Sequence, residues 1–182
     1  MTEEIIISGF GGQGIMLMGQ LLAYAGMLEN KQVSWIPSYG PEMRGGTANC
    51  STIISENPIG APTVSEPTAV VAMNLPSIEK FETAIQPGGI LIINSSLVEW
   101  NATRTDLRVY EIPANEISLE FNNSRVSNMV ILGALVTAIG TIQFESVIKA
   151  FAKIFAKKPE ILWMNEQAIL RGSQYITALM NK

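Results

Sequence analysis

The first thirty residues contain a β-branched apolar run, a cluster of glycines and an apolar repeat with helical spacing. Residues 3–8 include Ile5-Ile6-Ile7, which is typical of a short buried strand. The next six residues, Gly9-Phe10-Gly11-Gly12-Gln13-Gly14, predict a tight turn. Apolar residues then recur at helical spacing over residues 15–28, and Asn30 provides a stop signal. The chain is therefore predicted to open as strand, turn and helix.

Short apolar runs and helical repeats continue to alternate along the rest of the chain. Further strands are predicted at residues 33–36, 47–54, 69–73, 89–93 and 107–112. Helices are predicted at residues 76–85, 114–121, 126–139, 144–155 and 159–180. This alternation predicts an α/β fold, a three-layer α/β/α sandwich with a largely parallel sheet. The strands that flank the loop beginning at Pro37 could instead pair antiparallel, which would make the sheet mixed.

The composition combines a high apolar content with few charges. Of the 182 residues, 47% are hydrophobic and 15% are charged. The length and apolar content suit a single domain over residues 1–182, with a substantial core. Ordinary soluble proteins have about 25% charged residues. Two explanations of the low value stay open: part of the surface faces another protein, or helices cover both faces of the sheet.

The charge pattern and the N-terminal sequence bear on partners and location. The net charge is -4 and the basic residues are scattered, which disfavours nucleic-acid binding. The start, Met1-Thr2-Glu3-Glu4, lacks the basic segment of a signal peptide, and no apolar run approaches the roughly 20 residues needed to span a bilayer. The longest apolar stretch, residues 129–139, is interpreted as a core helix. We expect a cytoplasmic protein without membrane contact.

Two residue types that carry much of enzyme chemistry are scarce. The sequence has no histidine and a single cysteine, Cys50. These counts exclude an internal disulfide, a Cys/His metal cluster and an iron–sulfur cluster held by four thiolates of this chain. They also exclude histidine-based acid–base catalysis. We therefore assign no catalytic residue and no metal ligand, and we expect any redox chemistry to lie in another chain.

The glycine turn has a spacing that is used to bind phosphates. Gly9, Gly11 and Gly14 satisfy the pattern G-x-G-x-x-G directly after a strand and before a helix, and Gly12 adds further freedom. Glycines allow close backbone approach, and a helix N-terminus favours negative charge. Alternatively, the glycines only permit a sharp turn and close packing. Gln13 is not needed for a turn alone, so its amide is a candidate contact to a ligand or a partner backbone.

Dinucleotide binding is disfavoured by the residues at the end of the second predicted strand. An acidic residue should stand there to bind the ribose hydroxyls, but Ile36 is followed by Pro37 and Ser38. Glu29 has about the right sequence distance, yet it falls near the end of the first predicted helix. We therefore do not expect NAD or FAD.

Arg44-Gly45-Gly46 is the second candidate constellation. It combines a bidentate donor with two glycines, on a loop that leaves the same strand edge as the glycine turn. Together the two loops could bind a phosphate or a carboxylate. Alternatively, Arg44 forms an ordinary surface or interface ion pair, for example with Glu42.

The residues described so far resemble a known family, the gamma subunits of the 2-oxoacid:ferredoxin oxidoreductases and the gamma domain of the fused pyruvate enzymes. The resemblance covers nearly the whole chain. It is carried by residues 9–14, by residues 38–48, by Asn94-Ser95, and by Asn128 with Leu132-Gly133. Residues 38–50, together with Met73-Asn74-Leu75-Pro76-Ser77, look most like the 2-oxoglutarate branch.

The resemblance implies a complex in which other chains hold the cofactors. Alpha, beta and ferredoxin-like subunits would bind thiamine diphosphate with Mg and the [4Fe–4S] clusters. The complex would oxidatively decarboxylate a 2-oxoacid, form an acyl-coenzyme A and reduce ferredoxin. This chain would hold no cofactor, and in isolation it would not be a catalyst.

Three hypotheses for the two candidate loops remain open at this point. In fused relatives the gamma domain lies near the coenzyme A entrance, so residues 11–14 and 44–46 could contact coenzyme A. Both loops could instead serve purely as a subunit interface. A third hypothesis, from a different class, is a free-standing nucleotide-binding module.

Overall fold

A computed structural model describes residues 1–38, 47–101 and 103–181. The strands are β1 (Thr2–Phe10), β2 (Gln32–Ser38), β3 (Thr47–Ser55), β4 (Ala69–Ala72), β5 (Ile90–Asn94) and β6 (Arg108–Ile112). The helices are α1 (Ile15–Leu28), α2 (Leu75–Phe81), α3 (Ala114–Leu119), α4 (Ser127–Ile139), α5 (Phe144–Ile154) and α6 (Leu162–Met180). Short 3-10 turns occupy Glu82–Ala84, Ser124–Val126 and Pro159–Ile161.

The strands form one mixed sheet in the order β2-β3-β1-β4-β5-β6. Strands β1, β4, β5 and β6 are parallel, whereas β3 runs antiparallel to both of its neighbours, β1 and β2. The predicted α/β fold is therefore confirmed, including the antiparallel pair that flanks the Pro37 loop. The insertion of β3 beside β1, which makes a second antiparallel pair, was not predicted.

The two faces of the sheet are covered to different depths. On one face, Ile5 and Ile7 of β1 join a large apolar cluster with residues of α1, α3, α4, α5 and α6. On the other face, Ile6 joins a smaller cluster that includes Ile78 of α2 and Val98 of the segment after β5. One outer layer is thus thick, and the other consists of a short helix and connecting segments.

Helix α4 is apolar on all sides because protein surrounds it. Ten of its residues are buried, among them the continuous run from Met129 to Val136. It packs between the sheet and α6, and close approach to α6 is possible because Gly133 lies against the backbone of Ile169 and Gly172 against that of Val130. An all-round apolar helix is typical of a core position, and the predicted core helix is confirmed. None of the described helices is both long enough and apolar enough to cross a membrane.

Two element boundaries differ from the prediction for identifiable reasons. Strand β2 continues through Pro37 to Ser38, because a proline is tolerated on an edge strand, where one side of the backbone has no strand partner. Helix α2 ends at Phe81 and passes into a 3-10 turn, so the predicted helix over residues 76–85 is divided. Its start is fixed by the Asn74 carboxamide oxygen, which accepts a hydrogen bond from Ser77 N at 3.0 Å.

The topology brings the candidate loops to one edge of the sheet. The carboxyl ends of β1, β4 and β5 lie side by side because these strands are parallel neighbours. Helix α1 leaves β1 toward the thick layer, whereas α2 leaves β4 toward the thin one. Connections that diverge in this way leave a crevice at the strand ends, which is the usual ligand site of an open α/β sheet.

Candidate functional site

The glycine turn joins β1 to α1 in a conformation that favours glycine at two positions. Gly12 has φ 90° and Gly14 has φ 75°, both in the left-handed region. Gly14 is the N-cap residue of α1, and no side chain caps that helix. The N-terminus of α1, with its partial positive charge, therefore lies at the carboxyl edge of the sheet without a side-chain partner.

Gln13 links this turn to the segment that follows β4. Its Oε1 atom accepts a hydrogen bond from Phe10 N at 2.6 Å, and its Nε2 atom donates to the Met73 carbonyl oxygen at 3.3 Å. The carboxamide lies across Gly9, where an added Cβ would come within 2.5 Å of Oε1. The side chain predicted as a ligand or partner contact thus binds two backbone groups of its own chain.

The N-terminus of α4 forms the opposite wall of the crevice. Asn128, in the first turn of α4, lies against Gly14 so closely that a side chain at Gly14 would overlap its amide. The preceding 3-10 turn is held by the Asn123 side-chain oxygen, which accepts from Arg125 N at 3.1 Å, while α4 itself has no side-chain cap. The N-terminus of α1, which has no side-chain cap, and the first turn of α4, which continues from the capped 3-10 turn, therefore face one crevice.

The crevice has a volume of about 380 Å³ and a lining that is neutral or positive. Its described lining residues are Gly12, Gln13, Gly14, Met73, Leu97, Asn115, Ser124, Arg125, Ser127 and Asn128. None of them is a carboxylate, and Arg125 takes part in none of the ion pairs among the described residues. An exposed guanidinium beside the uncapped N-terminus of α1 favours an anionic ligand, such as a phosphate or a carboxylate.

A partly buried amide pair fixes Asn115 at the rim of this crevice. Asn94, the last residue of β5, donates from Nδ2 to Asn115 Oδ1 at 2.8 Å. The Ser96 hydroxyl oxygen accepts from the backbone N–H groups of Asn115 and Glu116 at 3.2 and 3.3 Å. These bonds tie the start of α3 to the end of β5, so the position of Asn115 is set by the sheet.

A second polar cluster supports the ends of β1 and β4 from the thin side of the sheet. Ser77 Oγ lies 2.9 Å from Ser8 Oγ and 2.5 Å from Asn74 Oδ1. Ser8 Oγ is also 3.3 Å from the Ala48 carbonyl oxygen, which it can reach as a donor. The motif Met73-Asn74-Leu75-Pro76-Ser77 thus contains a helix cap and a hydroxyl bridge to β1.

On the other side of the glycine turn lies a more apolar depression of about 410 Å³. Phe10, Ile15, Met16 and Leu17 contribute to its lining, together with Ala48 and the turn glycines. The described lining contains no charged side chain. This depression suits an apolar contact and offers few partners to a polar ligand.

The second predicted constellation, Arg44, Gly45 and Gly46, lies outside the described residues. The residues that flank the segment are described: Ser38 pairs with Asn49, and Thr47 pairs with Phe10 at the end of β1. Both flanks lie at the same edge as the glycine turn, as the sequence predicted for this loop.

The structure adds Asn115, Arg125 and Ser127 to the candidate residues. Asn94 and Asn128 carried a signal, since they belong to the segments that resemble the family. Arg125 carried none, because a single arginine between Ser124 and Val126 has no pattern that distinguishes it from a solvated side chain.

Glu29 is acidic and Cys50 is potentially nucleophilic, but both side chains have structural roles. The Glu29 carboxylate follows the end of α1 and accepts from Gln143 N at 2.8 Å, far from the glycine turn, so it is not placed to bind a ribose. The Cys50 thiol is fully buried, and burial raises its pKa to about 11. Within the described part of the chain, no group of three acidic or cysteine side chains could hold a metal ion.

Comparison with known proteins places these features in a family. A family model described as pyruvate ferredoxin/flavodoxin oxidoreductase matches residues 4–175. The 2-oxoglutarate synthase subunit KorC of Methanocaldococcus jannaschii is 37% identical over 163 residues, which are 88% of this chain and 87% of KorC. The ketoisovalerate oxidoreductase subunit VorA of Methanothermobacter thermautotrophicus is 37% identical over 174 residues, which are 94% of this chain. The chain spans only 36% of the length of VorA.

A solved structure agrees with the sequence comparisons. The gamma subunit of a keto/oxoacid ferredoxin oxidoreductase from Geobacter sulfurreducens superposes with a TM-score of 0.83 at 28% identity, covering 97% of this chain and 99% of that one. The resemblance inferred from the two motifs is thus confirmed at the level of sequence and fold. The chain belongs to the pyruvate ferredoxin/flavodoxin oxidoreductase family.

Proposed function

We propose that this chain is the gamma subunit of a 2-oxoacid:ferredoxin oxidoreductase. The observation that carries the proposal is the match to KorC, a separate subunit of similar length, over 88% of this chain. The complex would oxidatively decarboxylate a 2-oxoacid to an acyl-coenzyme A and reduce ferredoxin, in the cytoplasm. Residues 1–182 would act as one domain of that complex.

The chemistry of the crevice supports a division of labour between subunits. Its side chains are amides, hydroxyls and one guanidinium, and none of these is suited to take up and release a proton near neutral pH. Alpha, beta and ferredoxin-like subunits would supply thiamine diphosphate, Mg and the [4Fe–4S] clusters. This chain would position groups without being a catalyst when isolated.

The anion-favouring crevice supports a contact to coenzyme A. Gly11 to Gly14 would face the phosphates with backbone N–H groups, which the place of Gly12 and Gly14 in the crevice lining supports, and Arg125 would add a charge that phosphates bind strongly. Arg44 to Gly46 would contribute from the neighbouring loop. If both loops serve only as interface, coenzyme A will bind the complex equally well without these side chains.

The 2-oxoacid is proposed to be 2-oxoglutarate, following the motif after β4 and the match to KorC. VorA relatives are equally similar in percentage identity, so ketoisovalerate is the second substrate to test.

Anaerobic affinity purification of this chain from its native host tests the proposed function. We expect larger partner subunits, iron and thiamine diphosphate in the eluate, with coenzyme A-dependent oxidation of 2-oxoglutarate and reduction of ferredoxin. Oxidation of ketoisovalerate instead of 2-oxoglutarate would assign the chain to the ketoisovalerate branch of the family. A chain recovered alone, whose melting temperature rises with ATP, NAD or FAD, would favour the nucleotide-binding module and contradict the subunit assignment.

Calorimetry on the purified complex tests the coenzyme A contact. Arg125→Gln removes the charge at the crevice, and we expect coenzyme A to bind about tenfold more weakly, the usual effect of losing one charge-assisted hydrogen bond. Arg44→Ala tests the second loop in the same way. Arg108→Gln is the matched control, because Arg108 is an exposed arginine at the opposite edge of the sheet, where its Nε donates to the Gly88 carbonyl oxygen. Unchanged affinity in both test variants would contradict a coenzyme A contact by Arg125 and Arg44.

A further inference from the structure

The end of α5 and the turn after it differ in charge from the rest of the chain. Lys149, Lys153, Lys157 and Lys158 all fall within residues 149–158, and this segment contains no acidic residue. The chain has 12 basic and 16 acidic residues, so the remainder has 8 basic and 16 acidic ones, a net charge of -8 against +4 for the segment. Such a local reversal of sign marks a surface that attracts anionic groups.

Two of these lysines have no structural role that accounts for their charge. All four are exposed, and none takes part in an ion pair among the described residues. Lys153 lies in the last turn of α5, where a cation favours the helix dipole, and its Nζ atom is 5.8 Å from the centre of the Tyr24 ring. Lys157 and Lys158 follow the end of the helix and have no such side-chain partner within the described part of the chain.

Two large apolar side chains flank these lysines where the chain turns from α5 into α6. Lys158 N donates to the Phe155 carbonyl oxygen at 2.8 Å, and Ile161 N donates to the Lys158 carbonyl oxygen at 3.3 Å. Ile154, at the end of α5, is 41% exposed, and Trp163, in the first turn of α6, is 67% exposed. We call the set Ile154, Lys157, Lys158 and Trp163 the α5–α6 corner.

The α5–α6 corner combines the two features that protein interfaces use for affinity and for partner choice. An exposed tryptophan offers a large, rigid contact area, and tryptophan is enriched among the residues that contribute most to binding. Two adjacent cations on an otherwise acidic chain select a partner surface of negative charge. None of the four residues belongs to the described lining of the crevice or of the apolar depression, so this surface is separate from the candidate site.

Two other occupants fit the α5–α6 corner less well. The apolar face of α5, with Val147 and Phe151, is buried in the core and cannot insert into a lipid bilayer. The exposed carboxylate of Glu160 follows the lysines and would be repelled by an anionic lipid surface. In a two-fold pairing with a second copy of this chain, Lys157 and Lys158 would face the same two cations.

We propose that the α5–α6 corner is the docking surface for an acidic surface of a different protein chain. Carboxylates of that partner pair with Lys157 and Lys158, and its apolar side chains cover Ile154 and Trp163. Because salt screens exposed charges, the contact is tighter at low ionic strength. This inference goes beyond the proposed function and does not depend on it, since it is drawn from the charge and exposure of the α5–α6 corner alone.

Zero-length cross-linking locates the partner's carboxylates. A carbodiimide joins a lysine amine to a carboxylate that lies in direct contact with it. The tagged full-length chain is purified anaerobically from its native host, cross-linked and digested, and the joined peptides are identified by mass spectrometry. We expect peptides that link Lys157 or Lys158 to Asp or Glu residues of one other protein chain.

Charge reversal then tests whether the lysines hold that chain. Lys157→Glu combined with Lys158→Glu should lower its recovery about tenfold or more, whereas Lys157→Arg combined with Lys158→Arg should preserve it. Lys80→Glu combined with Arg108→Glu is the matched control, because it changes the net charge equally at two exposed residues outside the corner. Thermal unfolding of the free chains checks that all variants fold. For the wild type, raising the salt from about 0.1 M to about 1 M shortens the screening length from about 10 Å to about 3 Å and should lower recovery.

The possible results separate the docking surface from its alternatives. Absence of cross-links from both lysines to another chain, or equal recovery after charge reversal, would overturn the proposal. Cross-links between two copies, identified by mixing isotope-labelled and unlabelled chains, would assign the surface to self-association and contradict it. So would vesicles of phosphatidylserine and phosphatidylcholine that bind the wild type but not the charge-reversed variant. The proposed function is judged separately, by the iron, the thiamine diphosphate and the 2-oxoacid oxidation of the same eluate.

Discussion

The glycine turn after β1 and the contact between α4 and α6 both depend on glycine, but the surroundings of these glycines differ. A Cβ added to Gly11 or Gly12 would meet no atom within 4 Å. A Cβ added to Gly133 or Gly172 would overlap a backbone carbonyl of the facing helix, that of Ile169 or Val130. At Gly11 and Gly12 the turn leaves open space, and Gly12 serves the backbone conformation, whereas the helix pair uses glycine for close approach. The candidate site and the core of the thick layer are therefore expected to respond differently to the same substitution.

The largest expected effect is in the helix pair. Gly133→Ala or Gly172→Ala forces α4 and α6 apart, because the overlap is with backbone and no flexible side chain can move away. We expect a loss of about 3 kcal/mol in the free energy of unfolding, at the upper end for overpacked cores. Denaturant unfolding of the free chain measures it. Gly60→Ala is the control, since a Cβ there meets open space, and a loss of the same size in that variant would show that the helix contact is not the cause.

The second largest effect is a pH dependence of the free energy of unfolding, which the burial of Cys50 causes. Cys50 is buried in the thick layer under α1, where its Sγ and Trp35 leave room only for a glycine at position 19. Burial raises the pKa of this thiol to about 11, above its ordinary value of 9.0. The unfolded chain therefore loses the proton first, so the stabilisation is complete below about pH 9 and is lost as the pH rises toward 11.

We expect an alkaline loss of about 2 kcal/mol in the free energy of unfolding of the wild type, measured by denaturant unfolding at pH 8 and pH 11. Cys50→Ala removes the titrating group, so its alkaline loss should be smaller by that amount. All other ionisable groups are common to both proteins, so their contributions cancel in the comparison. Parallel pH curves for the two proteins would contradict the burial argument.

The difference between these regions also explains what the sequence could predict. The strand, turn and helix of residues 2–28 follow from adjacent residues, namely an apolar run, four glycines and a helical repeat. The core position of α4 follows from its continuous apolar stretch. The pairing of β3 beside β1 and the contacts of Gly133 with Ile169 and of Gly172 with Val130 join residues distant in the chain, for which a local pattern carries no signal.

The candidate site shows the same division. The glycine turn was predicted because its spacing is local. The direction of the strands predicted that the residues flanking the loop after Pro37 lie at the same edge as this turn. Arg125 and Asn115 reach the crevice only because α3 and α4 fold back to the carboxyl edge. The internal bonds of Gln13 depend on Met73, which belongs to a different strand connection, so the sequence left the role of its amide open.

The smallest expected effect lies in the turn itself. Gly12 has φ 90° and open surroundings, so Gly12→Ala adds conformational strain without a collision. A non-glycine residue in the left-handed region costs about 1 kcal/mol, and we expect that loss in the free energy of unfolding. Gly11→Ala is the matched control, because a Cβ at Gly11 also meets no atom within 4 Å and the φ of Gly11 is not positive. Denaturant unfolding of both variants should show a loss in Gly12→Ala alone. A loss in Gly12→Ala as large as that in Gly133→Ala would mean that the turn packs against other groups, and the contrast between the two glycine regions would then fail.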